Sequence, residues 1–272
     1  MKTNILLPER VFGESVRWHE DRCWFSDWGT QEIIAVDPQG RSETMVRLPF
    51  QSFPFCFDWL PDGRLLITSS SDQPLLRQEA DGSFVSHADV QHLSPFGWNE
   101  IVTDNRGYAY LNCVDFDMMN GAPFQPGHIA VVAPDGSARK VAGDLYFPNG
   151  MIITSDHQTL IVAESYGKRL SAFDIAADGS LHNRRIWADL GNGVPDGICD
   201  GGEHTIWYAD VPNKSCTRVR EGGEVVESIT LDQGCFSCAS NGHQLFMATM
   251  EWKGPQQLFS GPRTGNIVMA EW

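Results

Sequence analysis

Four oxygen-bearing side chains, Glu14, Asn99, Asn149 and Asp196, stand out by type and setting. Two of them occupy nearly the same hexapeptide, Phe147-Pro148-Asn149-Gly150-Met151-Ile152 and Val194-Pro195-Asp196-Gly197-Ile198-Cys199. In each, a proline of fixed φ precedes the oxygen donor, a glycine follows it, and an apolar strand-like run begins. Taken singly, Asn-Gly and Asp-Gly mark ordinary turns. Glu14 in Phe12-Gly13-Glu14-Ser15 could likewise be a solvated carboxylate, and Asn99 in Phe96-Gly97-Trp98-Asn99-Glu100 a turn cap. Together, two carboxylates and two carboxamides are what a hard divalent cation takes: oxygen ligands, charge to neutralise it and room for water. A carboxylate beside such an ion can also remove a proton from water.

That chemistry requires the four residues to converge, and an internal repeat supplies the means. A polar turn followed by a short β-rich run occurs six times, beginning at Glu20, Pro61, Asp104, Ser155, Gly201 and Asn241. The interval is roughly 40 to 50 residues, the period of four-stranded propeller blades. A second strand-and-turn unit recurs at Ile33–Gly40, Ile129–Gly136 and Leu170–Gly179, and helical periodicity is absent. The expected fold is all-β, a six-bladed β-propeller of four-stranded antiparallel blades around a central channel, in one domain over residues 1–272. The run Ile267–Trp272 leaves the last blade a strand short, and Asn4–Leu7 can complete it and hide the edge. Aligning the units on their hairpins puts Glu14, Phe55, Asn99, Asn149, Asp196 and Cys235 where the innermost strand of each blade begins. A propeller gathers those positions around one axis, so four oxygen donors form part of one ring.

Lys and Arg number 20 against 35 Asp and Glu, a net charge of −15, with the basic residues scattered. Nucleic acid and anionic membrane are therefore not expected partners. No apolar run is long enough to cross a bilayer, the N-terminal residues lack a signal-peptide core, and a cytoplasmic location is expected. The seven cysteines are odd in number and dispersed, as suits reduced, buried thiols; Cys235-Phe236-Ser237-Cys238 is a lone C-x-x-C expected in a buried strand. G-x-S-x-G, H-E-x-x-H and P-loop motifs are absent. His128, His157, His204 and His243 lack ligand spacing and are expected mostly in turns. The longest irregular insertion, Asp115–Gly127, reads equally as a lid or pocket wall and as a surface loop with some buried Met and Phe.

Gly13-Glu14-Ser15 with Trp18, Trp98-Asn99-Glu100-Ile101, Pro148-Asn149-Gly150 and Pro195-Asp196-Gly197-Ile198, in this order, resemble the regucalcin/gluconolactonase/luciferin-regenerating-enzyme family. The resemblance implies a six-bladed propeller with one divalent cation, commonly calcium or zinc, and with magnesium or manganese as alternatives. It makes Glu14, Asn149 and Asp196 the metal ligands, Asn99 a contact to substrate or water, and Asp196 the candidate general base. The implied activity is hydrolysis of a small-molecule lactone. One departure stands out: where sugar-lactonase members often carry Arg and Asp around the substrate Asn, this chain has Gly97 and Glu100. The missing guanidinium removes a donor fork for polyhydroxylated substrates. Phe53, Phe55, Phe96, Trp98, Phe147 and Phe236 fall near the expected channel mouth, where an apolar pocket suits a lactone or ester less polar than a sugar lactone. Glu100, Phe55, Trp98 and Phe236 join Asn99 as candidate substrate contacts. Two other readings use the same site: hydrolysis of an organophosphate or other ester, and non-catalytic binding of calcium or a small ligand.

Overall fold

The computed structural model describes residues 1–70, 72–254, 257–259 and 261–272. Among the described residues, short runs rich in β-branched and aromatic residues, cut by Asp-Gly and Asn-Gly turns, form 24 strands in six four-stranded sheets. This is the six-bladed β-propeller of antiparallel sheets that the repeat predicts. No α-helix occurs among the described residues; Gln91–Leu93 is a single 3-10 turn. No helix there is long and apolar enough to cross a membrane.

The chain divides into two compact units, one of Met1–Gln51 with Trp187–Trp272 and one of Ser52–Ile186. In the first, β1 is Thr3–Arg10, and β2 to β5 are Gly13–His19, Arg22–Asp27, Glu32–Val36 and Ser42–Arg47. The second holds β6 to β9 at Phe57–Trp59, Leu65–Ile67, Leu75–Gln78 and Phe84–Ala88. Next come β10 to β13 at Glu100–Thr103, Ala109–Cys113, Gly127–Val132 and Ala138–Leu145, then β14 to β17 at Pro148–Ile153, Thr159–Glu164, Arg169–Ile175 and Leu181–Asp189. The first unit resumes with β18 to β21 at Pro195–Asp200, Thr205–Asp210, Ser215–Arg220 and Val225–Thr230. It ends with β22 to β24 at Gly234–Ser240, Gln244–Met250 and Gly265–Glu271. Five blades are consecutive meanders; the sixth has the order β1-β24-β23-β22. Thr3 pairs with Ala270 and Ile5 with Val268, so the N-terminal segment does complete the last blade.

The hairpin turns explain much of the acidity. Aspartates at many of these turns accept the backbone N–H two residues on, among them Asp37 from Gln39, Asp62 from Arg64, Asp81 from Ser83, Asp104 from Arg106, Asp135 from Ser137, Asp156 from Gln158, Asp178 from Ser180 and Asp200 from Gly202, at 2.9–3.1 Å. Such a side chain imitates a backbone turn and fixes the hairpin locally. Between turns, alternation sends one face of each sheet inward. In the second unit Tyr110, Ile129, Val131, Leu160, Val162 and Phe173 pack together, each fully buried large side chain contributing about 1.5–3 kcal/mol. In the first, Phe25, Ile34, Phe246 and Ile267 do the same. Cys199, Cys216, Cys235 and Cys238 share another core with Trp207 and Met247. All seven cysteines are buried free thiols, and Cys235 and Cys238 both lie in strand β22, as expected.

Candidate active site

Glu14, Asn149, Asp196 and Cys235 are each the second residue of the first strand of a blade, in β2, β14, β18 and β22. Asn99 and Phe55 stand just ahead of the shorter first strands β10 and β6. At all four second-residue positions the ladder to the neighbouring strand slips: between Glu14 and Arg17, Pro148 and Met151, Pro195 and Ile198, and Cys235 and Ser237. A bulge at this point bends the strand and re-aims the side chain beside it. Pro148 and Pro195 open their strands, the position at which a missing N–H costs no ladder bond.

In the first unit the site residues are carboxylates. Glu14 is 9% exposed; its carbonyl accepts from Ser26 Oγ at 3.1 Å and its Oε2 from Ser15 N–H at 3.3 Å. Asp196 is half-buried. Its neighbour Gly197 is required by crowding, since a Cβ there would lie 2.6 Å from Ser237 Cα. That close approach brings β18 against β22, and Ser237 Oγ in turn accepts from Val16 N–H at 2.9 Å, tying in β2. Burial lifts the Cys235 thiol above its ordinary value against a hydrogen bond with Cys216; the charges of Cys238, Asp196 and Glu14 lift it further. Among the described residues, no three His, Cys, Asp or Glu side chains are grouped to hold a metal ion.

In the second unit the site residues are carboxamides, and they touch. Asn99 Nδ2 donates to Asn149 Oδ1 at 3.3 Å and to Pro148 O at 3.2 Å. Asn149 Nδ2 donates to Ser165 Oγ at 3.4 Å, which turns the amide oxygen away from Ser165. Asn112 Nδ2 reaches Asn149 O at 2.5 Å, while its buried Oδ1 has no hydrogen-bond partner. Asn99 N–H donates to Asn112 O, and Cys56 Sγ to Asn99 O. Gly127 lets this network close: a Cβ there would lie 2.2 Å from Cys113 O and 2.7 Å from Pro148 Cδ. Asn112 and Ser165 were not singled out in the sequence. Their only sequence signal is that each lies at or just past the end of a blade's second strand, with an Asn at or just before the start of the first.

The remaining candidates are deeply placed. Trp98, Phe55 and Phe236 are 2%, 0% and 4% exposed. Trp98 meets His128 edge-on at 5.6 Å, and Phe236 meets Phe12 at 4.9 Å and Trp252 at 5.7 Å. Glu100 is buried at the start of β10, its Oε1 accepting from Ile101 N–H at 2.8 Å. Phe147 instead joins a cluster with Phe116, Phe124, Tyr146 and Tyr166, so the 115–127 insertion packs its phenylalanines beside the turn that leads to Asn149. His157, His204 and His243 lie in turns as expected, whereas His128 is a strand residue of β12. It is buried, its Nδ1 is 2.6 Å from Asp115 Oδ2, and burial lowers its pKa against the pull of that carboxylate.

A sequence model of the SMP-30/gluconolactonase/LRE-like region matches residues 12–251. Among curated proteins, strictosidine synthase-like 7 of Arabidopsis thaliana is 31% identical over 137 residues, 50% of this chain and 35% of that protein. Diisopropyl-fluorophosphatase of Loligo vulgaris is 23% identical over 185 residues, 62% of this chain and 59% of its own. The match thus spans about a third and somewhat over half of these relatives. Among solved structures, the calcium-binding protein regucalcin of Agrobacterium tumefaciens superposes with a TM-score of 0.79 at 19% identity, covering 99% of this chain and 94% of that one.

Proposed function

We propose, on the premise that this chain belongs to the SMP-30/gluconolactonase/LRE-like family, that it is a divalent-metal-dependent hydrolase opening a lactone ring. The observation that carries the reading is the local geometry common to Glu14, Asn149 and Asp196: second residue of the first strand, beside a slip in the ladder. The donor set fits a hard cation. Glu14 and Asp196 supply charge, and Asn149, its nitrogen held by Ser165, presents an oxygen. These three would hold the ion, with calcium or zinc the leading choices and magnesium or manganese also compatible with oxygen donors. When bound, a divalent cation polarises the lactone carbonyl and makes a neighbouring water more acidic.

The protein's own part follows from its side chains. Asp196 accepts the proton of water as the water oxygen bonds to the carbonyl carbon. The ring C–O bond then breaks, the departing alkoxide takes that proton back from Asp196, and the hydroxy acid formed ionises, releasing one proton at neutral pH. Asn99, anchored through Nδ2 to Pro148 and Asn149, keeps an amide oxygen to orient the water or a substrate hydroxyl. Glu100, Phe55, Trp98 and Phe236, the other candidate substrate contacts, are 0–5% exposed and in this reading back the site rather than offer it open surface. With glycine at position 97 the preferred lactone is less polar than a sugar lactone. The seven free thiols favour a reducing compartment, the cytoplasm.

Metal analysis of the purified protein, coupled to proton-release assays on a lactone panel, tests this. One divalent ion per chain and turnover abolished by chelation are expected; chelation that leaves the rate unchanged overturns the mechanism. The similarity to diisopropyl-fluorophosphatase favours a second reading, in which the same residues direct water at phosphorus and fluoride leaves. Fluoride release from a fluorophosphate, with no proton release from lactones, would select it. Cation-dependent thermal stabilisation with no turnover in either assay would select a non-catalytic binding propeller.

A further inference from the structure

Five aromatic rings come together next to Asn149, all within one unit. Phe116 and Phe124 come from the segment between β11 and β12, Tyr146 and Phe147 from the turn between β13 and β14, and Tyr166 from the turn after β15. Phe147 stacks on Tyr166 with centroids 4.7 Å apart and planes at 30°. Phe116 meets Phe147 at 5.9 Å, and Phe124 meets Tyr146 at 5.4 Å and Tyr166 at 5.5 Å. Core aromatic clusters bury their rings; here Tyr146 and Tyr166 remain 45% and 52% exposed. Phe147 has φ +62°, a left-handed backbone unfavourable for a bulky side chain. Nothing about a plain turn calls for phenylalanine there, so the position of its ring is what the strain maintains.

The cluster is wired to the candidate site through the backbone. Ser165 N–H donates to Phe147 O at 3.0 Å, and Tyr166 N–H to Tyr146 O at 3.1 Å. Ser165 is also the residue that holds the Asn149 amide, so the Phe147–Tyr166 stack flanks both partners of that hydrogen bond.

We propose that this cluster, with Tyr166 as its solvent-facing ring, is a wall that receives an aryl or other flat apolar substituent of the substrate. The inference rests on the hydrolase reading and adds the substrate class: lactones or esters carrying an aromatic group beside the carbonyl-bearing ring. An aryl group laid on Tyr166 leaves water and gains an offset or edge contact. A subsite of this kind shifts selectivity by roughly tenfold or more.

The probes are γ-phenyl-γ-butyrolactone and unsubstituted γ-butyrolactone. In the wild type, kcat/KM for the phenyl lactone should exceed that for the unsubstituted one. Tyr166→Ala, checked for an unchanged melting temperature, should lower this ratio about tenfold through KM. Tyr166→Phe, which keeps the ring, should retain the ratio. An unchanged ratio in Tyr166→Ala overturns the wall. If the wild type hydrolyses neither lactone, saturation-transfer NMR with the phenyl lactone separates the two claims. Phenyl-ring saturation present in the wild type and lost in Tyr166→Ala keeps the wall and sinks the lactonase reading; saturation absent from the wild type, or equal in the two proteins, overturns the wall.

Discussion

The two units furnish different halves of the proposed chemistry. In the first, Glu14 and Asp196 are charged groups placed against a core that includes four buried thiols, and the charge of each acts on Cys235. In the second, Asn99 and Asn149 are neutral, joined directly and held by Asn112, Ser165 and Pro148. Charge is expensive to bury, and at Glu14 the Ser15 N–H donates to the carboxylate at 3.3 Å. Amides are cheaper to bury but must be told which way to face, and the second unit spends its hydrogen bonds on orientation. On the proposed reading, Glu14 and Asp196 provide charge and basicity, and Asn99 and Asn149 provide direction.

The sharpest way to break this contrast is Asp196→Asn, which makes the first unit's residue resemble the second's. Turnover should fall about 10³-fold, with thermal stability unchanged within a degree or two in a calorimetric scan. A variant retaining a tenth of the activity would show that basicity does not reside there.

Next in size is Glu164→Gln, beneath the carboxamide half. Glu164 has no exposure and is gripped by Arg169, Arg184, Ser171 and Tyr146 N–H. Removing its charge should destabilise the fold by about 3 kcal/mol, the low end for a broken buried pair because both arginines reach water. Burial works to raise the Glu164 pKa, but donation from Arg169, Ser171 and Tyr146, with the Arg184 charge, brings it below the ordinary value of 4.5. A depressed carboxylate stabilises the fold above its unfolded pKa and loses that contribution as pH falls. Melting temperature should therefore drop as pH falls below 4.5, and Glu164→Gln should flatten that slope; equal slopes in the two proteins would refute the assignment.

Gly197→Ala tests the first unit's packing. The added methyl would meet the Ser237 backbone, and denaturant unfolding should report a loss of about 2 kcal/mol. The smallest effect is expected from Ser165→Ala. Freed from its hydroxyl partner, Asn149 should hold the cation about tenfold less tightly, read by calorimetric titration with calcium, while Gly197→Ala acts mainly on stability.

The architecture was open to sequence reading because its signals are local. Turn dipeptides and alternation lie within a few residues, so all six hairpins, the starts of the inner strands and the pairing of Asn4–Leu7 with the last strand could be read directly. The bulges beside Glu14, Asn149 and Asp196 were not legible, because no residue type announces a slip in the ladder. Nor were the roles of Asn112 and Ser165, which reach Asn149 from 37 and 16 residues away. The 115–127 insertion reads equally as wall and loop for the same reason: beyond meeting each other, its phenylalanines find partners around residues 146 and 166.

The pairing of β1 with β24 has a kinetic side. Thr3 must find Ala270 across nearly the whole sequence, while every other ladder joins neighbours in the chain. Contacts of such separation form late and slowly. The sixth blade should thus be the last to order during refolding, and amide protons of Gly265–Glu271 should gain protection after those of the β2–β5 meander. Until that latch closes, β24 offers an unpaired edge to other chains. Protein concentration would then govern refolding yield through this one seam.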